Sequence, residues 1–489
     1  VTAAKYQEKR FVMGESLLEL LQKSCPITLP MHMPGHKRNL RLAPYLNALA
    51  AQLDITEIKG FDHLHAASGI LQEAMDSAAE VFGARNTFFL VNGSTVGILS
   101  AIRAVTAPGD SIIMARNCHK SVYNALALNN LRPYFIYPQT NLRYQIAASI
   151  SLESVQNAIA QHQDARVLVI TCPTYEGVIS DLPAIVSHAH RHGLTVIVDE
   201  AHGSHLGFTP YFPKSAIAAG ADIVIHSLHK TLPSLTQTAL AHVRTPALAS
   251  EMQRQLAVFE TTSPSFLLLA SIDGCVRLLR ERGEELFANW EQAMEAFHQK
   301  ALGLHHLRVL GYGRERGLAL ENVHGLEPSK VFVSTINTNI SGYELAELLR
   351  NDHSTEPEMI TPQGVLCMTG MGDTVETMEQ LGDSLLAIDR RLRPASAVKI
   401  PLMAPQVQSK VPIATAERAP FISLPIEDSE GYVMAETIVV YPPGIPVVVP
   451  GELMNLQAIR YLLAAREAHN TILRSRSDID GQVAVLRDA

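Results

Sequence analysis

The chain has 489 residues, 47% of them hydrophobic, and its 40 Lys and Arg against 48 Asp and Glu give a formal net charge of -8 at pH 7. This length predicts two to four structural units with a sizeable core, and the negative charge argues against broad binding to nucleic acid or anionic membranes. The five cysteines are scattered without a CxxC spacing, which favours reduced thiols over a disulfide framework or a zinc site.

The sequence shows no basic-then-apolar leader and no uninterrupted apolar stretch long enough to cross a bilayer. We therefore expect a cytoplasmic protein that binds neither nucleic acid nor membrane and holds no metal. A starting Val instead of Met indicates trimming or numbering from a processed end.

The pattern of apolar runs predicts four segments. Residues 1–30 form an arm with one helix, ESLLELLQK, and residues 31–262 alternate short strands such as SIIMA, TVIVDE and DIVIHS with helical stretches. Continuous apolar strands are typical of a sheet covered on both faces, so this segment reads as a mostly parallel α/β domain. Residues 263–395 read as a smaller α+β domain, and a Pro-rich linker leads into a C-terminal unit at 396–489.

The first chemical signal is the turn NGST at 92–95, which lies between a predicted strand and a predicted helix. A helix N-terminus attracts phosphate through its unpaired N–H groups and its dipole. Ser94 and Thr95 are candidate phosphate ligands, with Ser227 a third. The alternative is an ordinary helix cap.

The second signal is Asp199, which ends the run LTVIVD. A buried carboxylate there can pair with a protonated pyridine nitrogen, as pyridoxal phosphate (PLP) requires when it acts as an electron sink. An Asp that caps the following helix is the alternative.

The third signal is Lys230, which follows the strand DIVIHS within SLHK. A lysine amine is nucleophilic only when neutral, and burial at a strand end favours that state. A solvated turn lysine is the alternative. In such sheets ligands bind beyond the carboxyl ends of the strands, so three strand ends that carry phosphate donors, acid and lysine in that order favour a PLP site.

Taken together, the sequence resembles the Orn/Lys/Arg decarboxylase family of fold-type I PLP-dependent enzymes, in its shorter bacterial form. The resemblance spans most of the chain. Its blocks are MPGHK (33–37), DITEIKGFDHLH (54–65), FFLVNGSTVG (88–97), RNCHKSVYNAL (116–126), PTYEGV (173–178), DEAHGSH (199–205), SLHK (227–230), TTSPSF (261–266) and YPPGIPVVVPGE (441–452).

The resemblance implies a role for each matching position. Lys230 would form the Schiff base with PLP, Asp199 would pair with the pyridine nitrogen, and His119 would stack on the ring. His229 would be a cofactor neighbour and a candidate proton donor. The remaining implied cofactor contacts are Ser94, Thr95 and Ser227 at the phosphate, Ala201 under the ring, His202, at a place where longer members can carry an aromatic residue, and Thr261, which would reach a phosphate across a dimer interface. For Thr261, a helix N-cap is the alternative.

The implied reaction is the decarboxylation of a basic L-amino acid, with arginine favoured, then lysine, then ornithine, and with polyamine biosynthesis as the setting. A cationic side chain needs an acidic partner, for which Asp62, Glu176, Glu427, Asp428 and Glu430 are eligible. The expected assembly is a homodimer or a dimer of dimers with shared active sites.

Two alternatives stay open at this point. The first is another fold-type I reaction, such as aminotransfer, aldol cleavage or β-elimination, in which Arg308, Arg314 or Arg316 would grip the α-carboxylate. The second is a catalytically inactive regulatory homologue that kept the fold.

Overall fold

The structure is a computed structural model that describes residues 14–25, 34, 48–395, 405–441, 445–467 and 471–487. Residues 1–13 and 26–30 of the predicted arm, all of MPGHK except Pro34, the middle of the predicted linker, and residues 442–444 of YPPGIP lie outside the described residues. Within the described ranges, no helix combines the length and the apolar character that crossing a membrane requires.

The elements are numbered in chain order. The helices are α1 (Leu17–Ser24), α2 (Ile70–Phe82), α3 (Gly93–Val105), α4 (Lys120–Asn129), α5 (Leu152–Gln161), α6 (Leu182–Arg191), α7 (Leu228–Thr231), α8 (Pro246–Phe259), α9 (Phe266–Ala301), α10 (Gly342–His353), α11 (Val375–Asp389), α12 (Ile413–Ala416) and α13 (Leu456–Glu467). The strands are β1 (Asn86–Leu90), β2 (Ser111–Ala115), β3 (Arg132–Ile136), β4 (Thr140–Asn141), β5 (Ile146–Ala147), β6 (Ala165–Thr171), β7 (Val178–Ile179), β8 (Thr195–Asp199), β9 (Ile223–Ser227), β10 (Ala239–Val243), β11 (Arg308–Val309), β12 (Gly325–Leu326), β13 (Lys330–Ser334), β14 (Met359–Thr361), β15 (Gly364–Met368), β16 (Phe421–Pro425), β17 (Ile438–Tyr441), β18 (Ile445–Val448), β19 (Thr471–Arg474) and β20 (Gln482–Leu486).

The central sheet has the strand order β1-β10-β9-β8-β6-β2-β3. Strands β9, β8, β6, β2 and β3 pair in parallel, whereas β10 runs antiparallel to both of its neighbours. Every residue of β2, β9 and β10 is buried, because helices cover both faces of the sheet. The prediction of a mostly parallel α/β sheet is confirmed. The reversed direction of β10 was not predicted, since a fully buried strand has the same apolar pattern in either direction.

The strand directions bring the predicted chemical residues to one edge of the sheet. Asp199, the last residue of β8, is in register with Thr171 at the end of β6. Ser227, the last residue of β9, is in register with Ala239 at the start of β10. Because β10 is reversed, the residues just before it also lie at this edge.

Helix α3 begins differently from α5, α6 and α8. At the starts of α5, α6 and α8, the side chains of Ser151, Asp181 and Thr245 each accept a hydrogen bond from the main-chain N–H three residues on, which is ordinary capping. The cap of α3, Asn92, makes no such bond, because its Oδ1 accepts the N–H of Thr261 at 3.0 Å. The first turn of α3 is therefore left with main-chain donors for another acceptor.

The second unit is built on α9, the 36-residue helix that the sequence predicted near this position, and on an antiparallel sheet with the order β11-β13-β15-β14. Helix α11 packs along α9. The buried indole of Trp290 on α9 donates to the Thr369 hydroxyl at 3.1 Å, just beyond β15. These contacts join the helix to the sheet in one apolar core.

The C-terminal unit contains the antiparallel pair β16–β20, the sheet β18-β17-β19 and helix α13. It is tied to the central sheet by Arg116, which follows β2. The Arg116 guanidinium lies 3.1 Å from the Glu452 carboxylate and donates to the carbonyls of Pro446 at 2.8 Å and Val447 at 3.0 Å. The segment that contains Ile445 is thereby held beside the sheet edge. The predicted unit boundaries after residues 262 and 395 stay predictions.

Candidate active site

A cavity of about 420 Å³ lies beyond the carboxyl ends of the central strands. It brings together nine of the ten residues predicted for the site, and Thr261 is the exception. The nine are Ser94, Thr95, His119, Asp199, Ala201, His202, Ser227, His229 and Lys230.

Lys230 lies on the short helix α7, directly after β9. Its Nζ is 2.7 Å from Nε2 of His202 and 5.9 Å from the ring centroid of Tyr175. Burial lowers the pKa of Lys230, the negative charge of Asp199 opposes that change, and the positive charge of Lys330 lowers the pKa further. These surroundings increase the neutral, nucleophilic fraction of the amine relative to a solvated lysine.

His202 is held next to Lys230 as a neutral imidazole. Burial and the charges of Lys230 and Lys330 bring the pKa of His202 well below its usual value. Its ring centroid lies 4.4 Å from that of Tyr175, and its Nδ1 is buried and has no hydrogen-bond partner among the described residues. His202 therefore serves as an uncharged partner for the Lys230 amine.

Asp199 is buried at the end of β8, with 5% of its surface exposed. Its Oδ1 accepts the main-chain N–H of Ala201 at 3.2 Å, and the chain continues as a turn, so the alternative of a helix cap does not apply. The carboxylate lies at the cavity wall, where it acts on the charges of both His119 and Lys230.

The hydrogen bonds of His119 and His229 fix which ring nitrogen of each is an acceptor. The main-chain N–H of Ser121 donates to Nδ1 of His119 at 3.3 Å, so the other nitrogen carries the proton of the neutral ring. Nδ1 of His229 donates to the carbonyl of Thr238 at 2.8 Å, which leaves its Nε2 without the proton when the ring is neutral. Burial lowers the pKa of both rings.

The uncapped start of α3 also lines the cavity. Gly93 has a φ of +71°, which a glycine adopts without strain, and its N–H donates to the carbonyl of Gln237 at 2.9 Å. Ser94 and Thr95 follow at the cavity wall. The Ser227 hydroxyl is buried at the same cavity and has no hydrogen-bond partner in the described part of the chain.

Thr261 lies outside the cavity lining in this single chain. Its hydroxyl accepts the N–H of Ser263 at 3.1 Å, and its main-chain N–H donates to Asn92 at the start of α3. The prediction that Thr261 reaches a phosphate across a dimer interface stays a prediction.

Several lining residues were not singled out from the sequence for this cavity. Asn117 carries a buried Oδ1 that has no hydrogen-bond partner among the described residues, and Tyr175 contacts both Lys230 and His202. Both lie within sequence blocks, RNCHKS and PTYEGV, that carry the family resemblance. Gln237 lines the cavity because β10 is reversed, which no sequence pattern indicated.

One of the five acidic candidates for a substrate side chain lines this cavity. Glu176 does so, and it also lines a second cavity that adjoins the first through Asn117, Ala147 and Ile445. Burial raises the pKa of the Glu176 carboxyl. By contrast, Asp62 accepts hydrogen bonds from nearby main-chain N–H groups.

The remaining acids belong to the C-terminal unit. Glu427 forms an exposed ion pair with Arg466 at 2.8 Å, and neither Asp428 nor Glu430 lines the cavity.

The arginines that would serve an aminotransferase do not line the cavity either. Arg316 pairs with Glu295 at 2.6 Å and faces a different cavity. Arg308 and Arg314 belong to the second unit, where they line another cavity. Among the described residues, no arginine lines the Lys230 cavity to hold an α-carboxylate as an aminotransferase would require.

The residues present fit PLP. A buried hydroxyl without a partner and an uncapped helix start accept a phosphate, since each supplies hydrogen bonds that are otherwise unmade. A buried carboxylate suits a protonated pyridine nitrogen, and a buried lysine with a lowered pKa suits a carbonyl carbon. Ser227, the α3 start, Asp199 and Lys230 supply these groups within one cavity.

Comparison with known proteins agrees with this reading. Two family models match the chain: "Orn/Lys/Arg decarboxylase, major domain" over residues 28–313, and "Orn/Lys/Arg decarboxylase, C-terminal domain" over residues 397–486. An arginine decarboxylase of Bacillus subtilis is 33% identical over 448 residues, which cover 89% of this chain and 90% of that protein. An arginine decarboxylase of Halalkalibacterium halodurans is 34% identical over 440 residues, with 88% and 89% covered.

The fold also matches a solved structure. The lysine decarboxylase LdcF of Francisella novicida superposes with a TM-score of 0.83 at 18% identity, covering 96% of this chain and 80% of that chain. At this identity the match concerns the fold, and it confirms the predicted fold-type I architecture.

Proposed function

This chain belongs to the Orn/Lys/Arg decarboxylase family, and from that premise we propose that it converts arginine to agmatine and CO2. It is a PLP-dependent decarboxylase of basic amino acids. The choice of arginine is supported by the relatives named arginine decarboxylase, which cover most of the chain at about a third identity. Lysine and ornithine are the next candidates.

The observation that carries the proposal is the pairing of Lys230 with His202 inside the cavity that Asp199 also lines. PLP, when bound, withdraws electrons from the substrate α-carbon, which permits loss of the carboxylate as CO2. The chain must supply a neutral amine, a fixed negative charge and hydrogen-bond donors for the phosphate.

We assign these tasks to residues at the sheet edge. Lys230 Nζ would hold PLP covalently when the cofactor is bound. Asp199 would present its buried carboxylate to the pyridine nitrogen and favour the protonated form of that nitrogen. Ser94, Thr95 and Ser227 would bind the phosphate together with the start of α3, and His119 and Ala201 would contact the ring.

After CO2 leaves, the substrate α-carbon needs a proton. Lys230 Nζ is the first candidate donor, because His202 Nε2 lies 2.7 Å from it and accepts or returns a proton without a change in position. His229 is the second. Its Nδ1 keeps a proton in the bond to Thr238, so its free Nε2 donates a proton only from the protonated ring. Protonation completes the amine product.

We assign the side-chain end of the substrate to Glu176. It lies where the cofactor cavity meets the second cavity, so an amino acid with its α-carbon beside Lys230 would extend toward this carboxylate. A guanidinium requires an acid because an unpaired buried charge is costly, and its fork suits two carboxylate oxygens.

The finer setting is also a proposal. We infer a cytoplasmic enzyme whose product enters polyamine biosynthesis, and a homodimer or dimer of dimers in which Thr261 of one subunit approaches the phosphate site of the other. The exposed apolar side chains of Leu235 and Val258, at 55% and 68% exposure, support a covered surface near this segment. Light scattering during gel filtration tests the assembly.

The test of the function is release of CO2 from arginine, lysine and ornithine, each measured with the PLP-loaded protein by a coupled CO2 assay. We expect turnover of a basic amino acid, with the highest kcat/KM for arginine. Preference for lysine or ornithine would overturn the choice of arginine. Release of no CO2, with transfer of the amino group to a keto acid instead, would overturn the decarboxylase assignment.

A further inference from the structure

A buried ion pair lies behind the proposed active site, and the mechanism above does not use it. Lys330, the first residue of β13, and Glu327 both have side chains with no exposed surface, and their charged groups are 2.9 Å apart. Lys330 Nζ also donates to the hydroxyl of Ser329 at 2.7 Å. Burying two charges is costly unless their other hydrogen bonds are made, so such a pair needs a physical explanation.

One hydrogen bond from this pair reaches His202. Lys330 Nζ donates to the main-chain carbonyl of His202 at 3.2 Å, and the His202 ring lies 2.7 Å from Lys230. The ammonium of Lys330 thus holds the backbone of the very residue whose side chain contacts the Lys230 amine.

A second set of hydrogen bonds connects the pair, through His205, to the residue after Lys230. Glu327 Oε1 accepts from Nε2 of His205 at 2.9 Å, and Nδ1 of His205 is 3.1 Å from the hydroxyl of Thr231. Because Nε2 donates to the carboxylate, Nδ1 of the neutral ring accepts from Thr231. Burial lowers the pKa of His205, although the Glu327 charge opposes this, which agrees with a neutral ring.

A third hydrogen bond connects Glu327 to the turn that contains Glu176. The main-chain N–H of Glu327 donates to the carbonyl of Gly177 at 2.7 Å. A Cβ on Gly177 would lie 2.9 Å from both the Glu327 carbonyl and the Lys330 Cβ, so the two segments are in close contact. One buried cluster therefore contacts the supports of Lys230 on two sides and of Glu176 on a third.

We propose that Lys330, paired with Glu327, is a positioning residue of the decarboxylation site that orients His202 against Lys230 and places a buried positive charge behind the Lys230 amine. A structural tie between the second unit and the sheet would need no charge at this place, since apolar side chains of similar volume serve as well or better. The charge has an effect at Lys230, whose protonation it disfavours.

The charge state of Lys230 is set by groups on several elements. They are Asp199 at the end of β8, His202 in the following turn, His119 at the start of α4, Tyr175 after β6, His229 on α7, Glu358 before β14 and Lys330 on β13. Of these, Asp199 and Glu358 favour the protonated amine, while Lys330 disfavours it.

The test measures the protonation of Lys230 directly, in the full-length chain without cofactor. Trace acetylation with acetic anhydride labels neutral amines, and mass spectrometry of the Lys230 peptide gives the extent of labelling between pH 6 and pH 11. In the Lys330→Met variant we expect labelling at pH 8 to fall by roughly tenfold, equivalent to a rise of about one pKa unit. The double variant Lys330→Met with Glu327→Gln should show a fall of roughly threefold, because it also removes the opposing charge.

Two controls accompany these variants. Lys330→Arg keeps the charge and should retain the wild-type midpoint of labelling. Lys300→Met removes a lysine that pairs with Asp383 on the surface at 2.7 Å and should change nothing at Lys230. In the cofactor-loaded protein, the pH profile of kcat/KM should move in the same direction as the labelling midpoint.

The double variant keeps the inference testable if Lys330→Met does not fold, because it leaves no unpaired buried charge. An unchanged labelling midpoint in the folded double variant would overturn the inference, as would a wild-type midpoint near the ordinary lysine value of about 10.4. The inference rests on the proposed role of Lys230, and that role fails separately if PLP and borohydride leave the wild-type Lys230 unlabelled.

Discussion

Replacement of Glu176 by Gln tests the assignment of the substrate's charged end. Gln keeps the size of the side chain and removes the negative charge. Glu176 is half-buried, and no ion pair joins it to a cation among the described residues, so in the present account its carboxylate is available for the substrate guanidinium.

The expected loss follows from that burial. Exposed ion pairs contribute about 0 to 1 kcal/mol, whereas removing one partner of a buried charge pair costs about 2 to 5 kcal/mol. A half-buried pair between these limits gives about 2 to 3 kcal/mol, which corresponds to a fall of about 30- to 150-fold in kcat/KM for arginine.

The assay is CO2 release from arginine and from citrulline, which has nearly the same shape without the charge. Citrulline turnover should be weak in the wild type and should not fall further in Glu176→Gln. The matched control is Glu427→Gln, which removes an acid of the exposed C-terminal pair with Arg466. Wild-type kinetics for arginine in Glu176→Gln would contradict the assignment. A large loss in Glu427→Gln would then move the substrate's partner to the C-terminal unit.

The same variant carries a pH prediction. Burial raises the pKa of Glu176, and only its ionised form pairs with a guanidinium, so arginine kcat/KM should fall as the pH decreases through that raised pKa. In Glu176→Gln this acid limb should disappear, while any limb that belongs to Lys230 or to the histidines remains. Persistence of the same acid limb in the variant would contradict the assignment.

Three further predictions concern other parts of the site. Ser227→Ala should weaken PLP binding by about 10- to 150-fold in a fluorescence titration, since a hydrogen bond to a charged group contributes about 1.5 to 3 kcal/mol. Unchanged affinity would remove Ser227 from the proposed phosphate site. Glu452→Gln should lower the free energy of unfolding in urea by about 3 to 5 kcal/mol, because it leaves the buried Arg116 unpaired. Glu295→Gln, which breaks an exposed pair, should lower it by under about 1 kcal/mol, and equal losses in the two variants would contradict the buried role of Glu452. Gly177→Ala should destabilise the protein by about 1 to 3 kcal/mol more than Gly109→Ala. Both glycines have a positive φ near 90°, but only at Gly177 would an added Cβ meet close neighbours. Equal stability of the two variants would contradict the close contact at Gly177.

Much of the site was predictable from the sequence because the signals were local. Asp199 and Ser227 each end an apolar run of strand length, and NGST interrupts the transition from a strand to a helix. In a parallel sheet such positions meet at one edge, so their proximity followed once the strands were recognised. His202 was placed near the cofactor only through the family resemblance.

The rest depended on contacts that no local pattern contains. No sequence pattern singled out Lys330 or Glu327, which the packing of the second unit against the sheet buries. Arg116 and Glu452 are separated by 336 positions, yet they form one buried pair. Nothing in the apolar run of β10 indicated its reversed direction, which brings Gln237 to the cavity.

The most direct test of the account is the identity of the lysine that holds PLP. The protein is loaded with PLP, reduced with sodium borohydride and digested, and the modified peptide is identified by mass spectrometry. We expect loss of the yellow colour and a pyridoxyl group on Lys230 in the wild type. In Lys230→Ala we expect neither labelling of the corresponding peptide nor CO2 release. A label on another lysine, or undiminished turnover in Lys230→Ala, would contradict it.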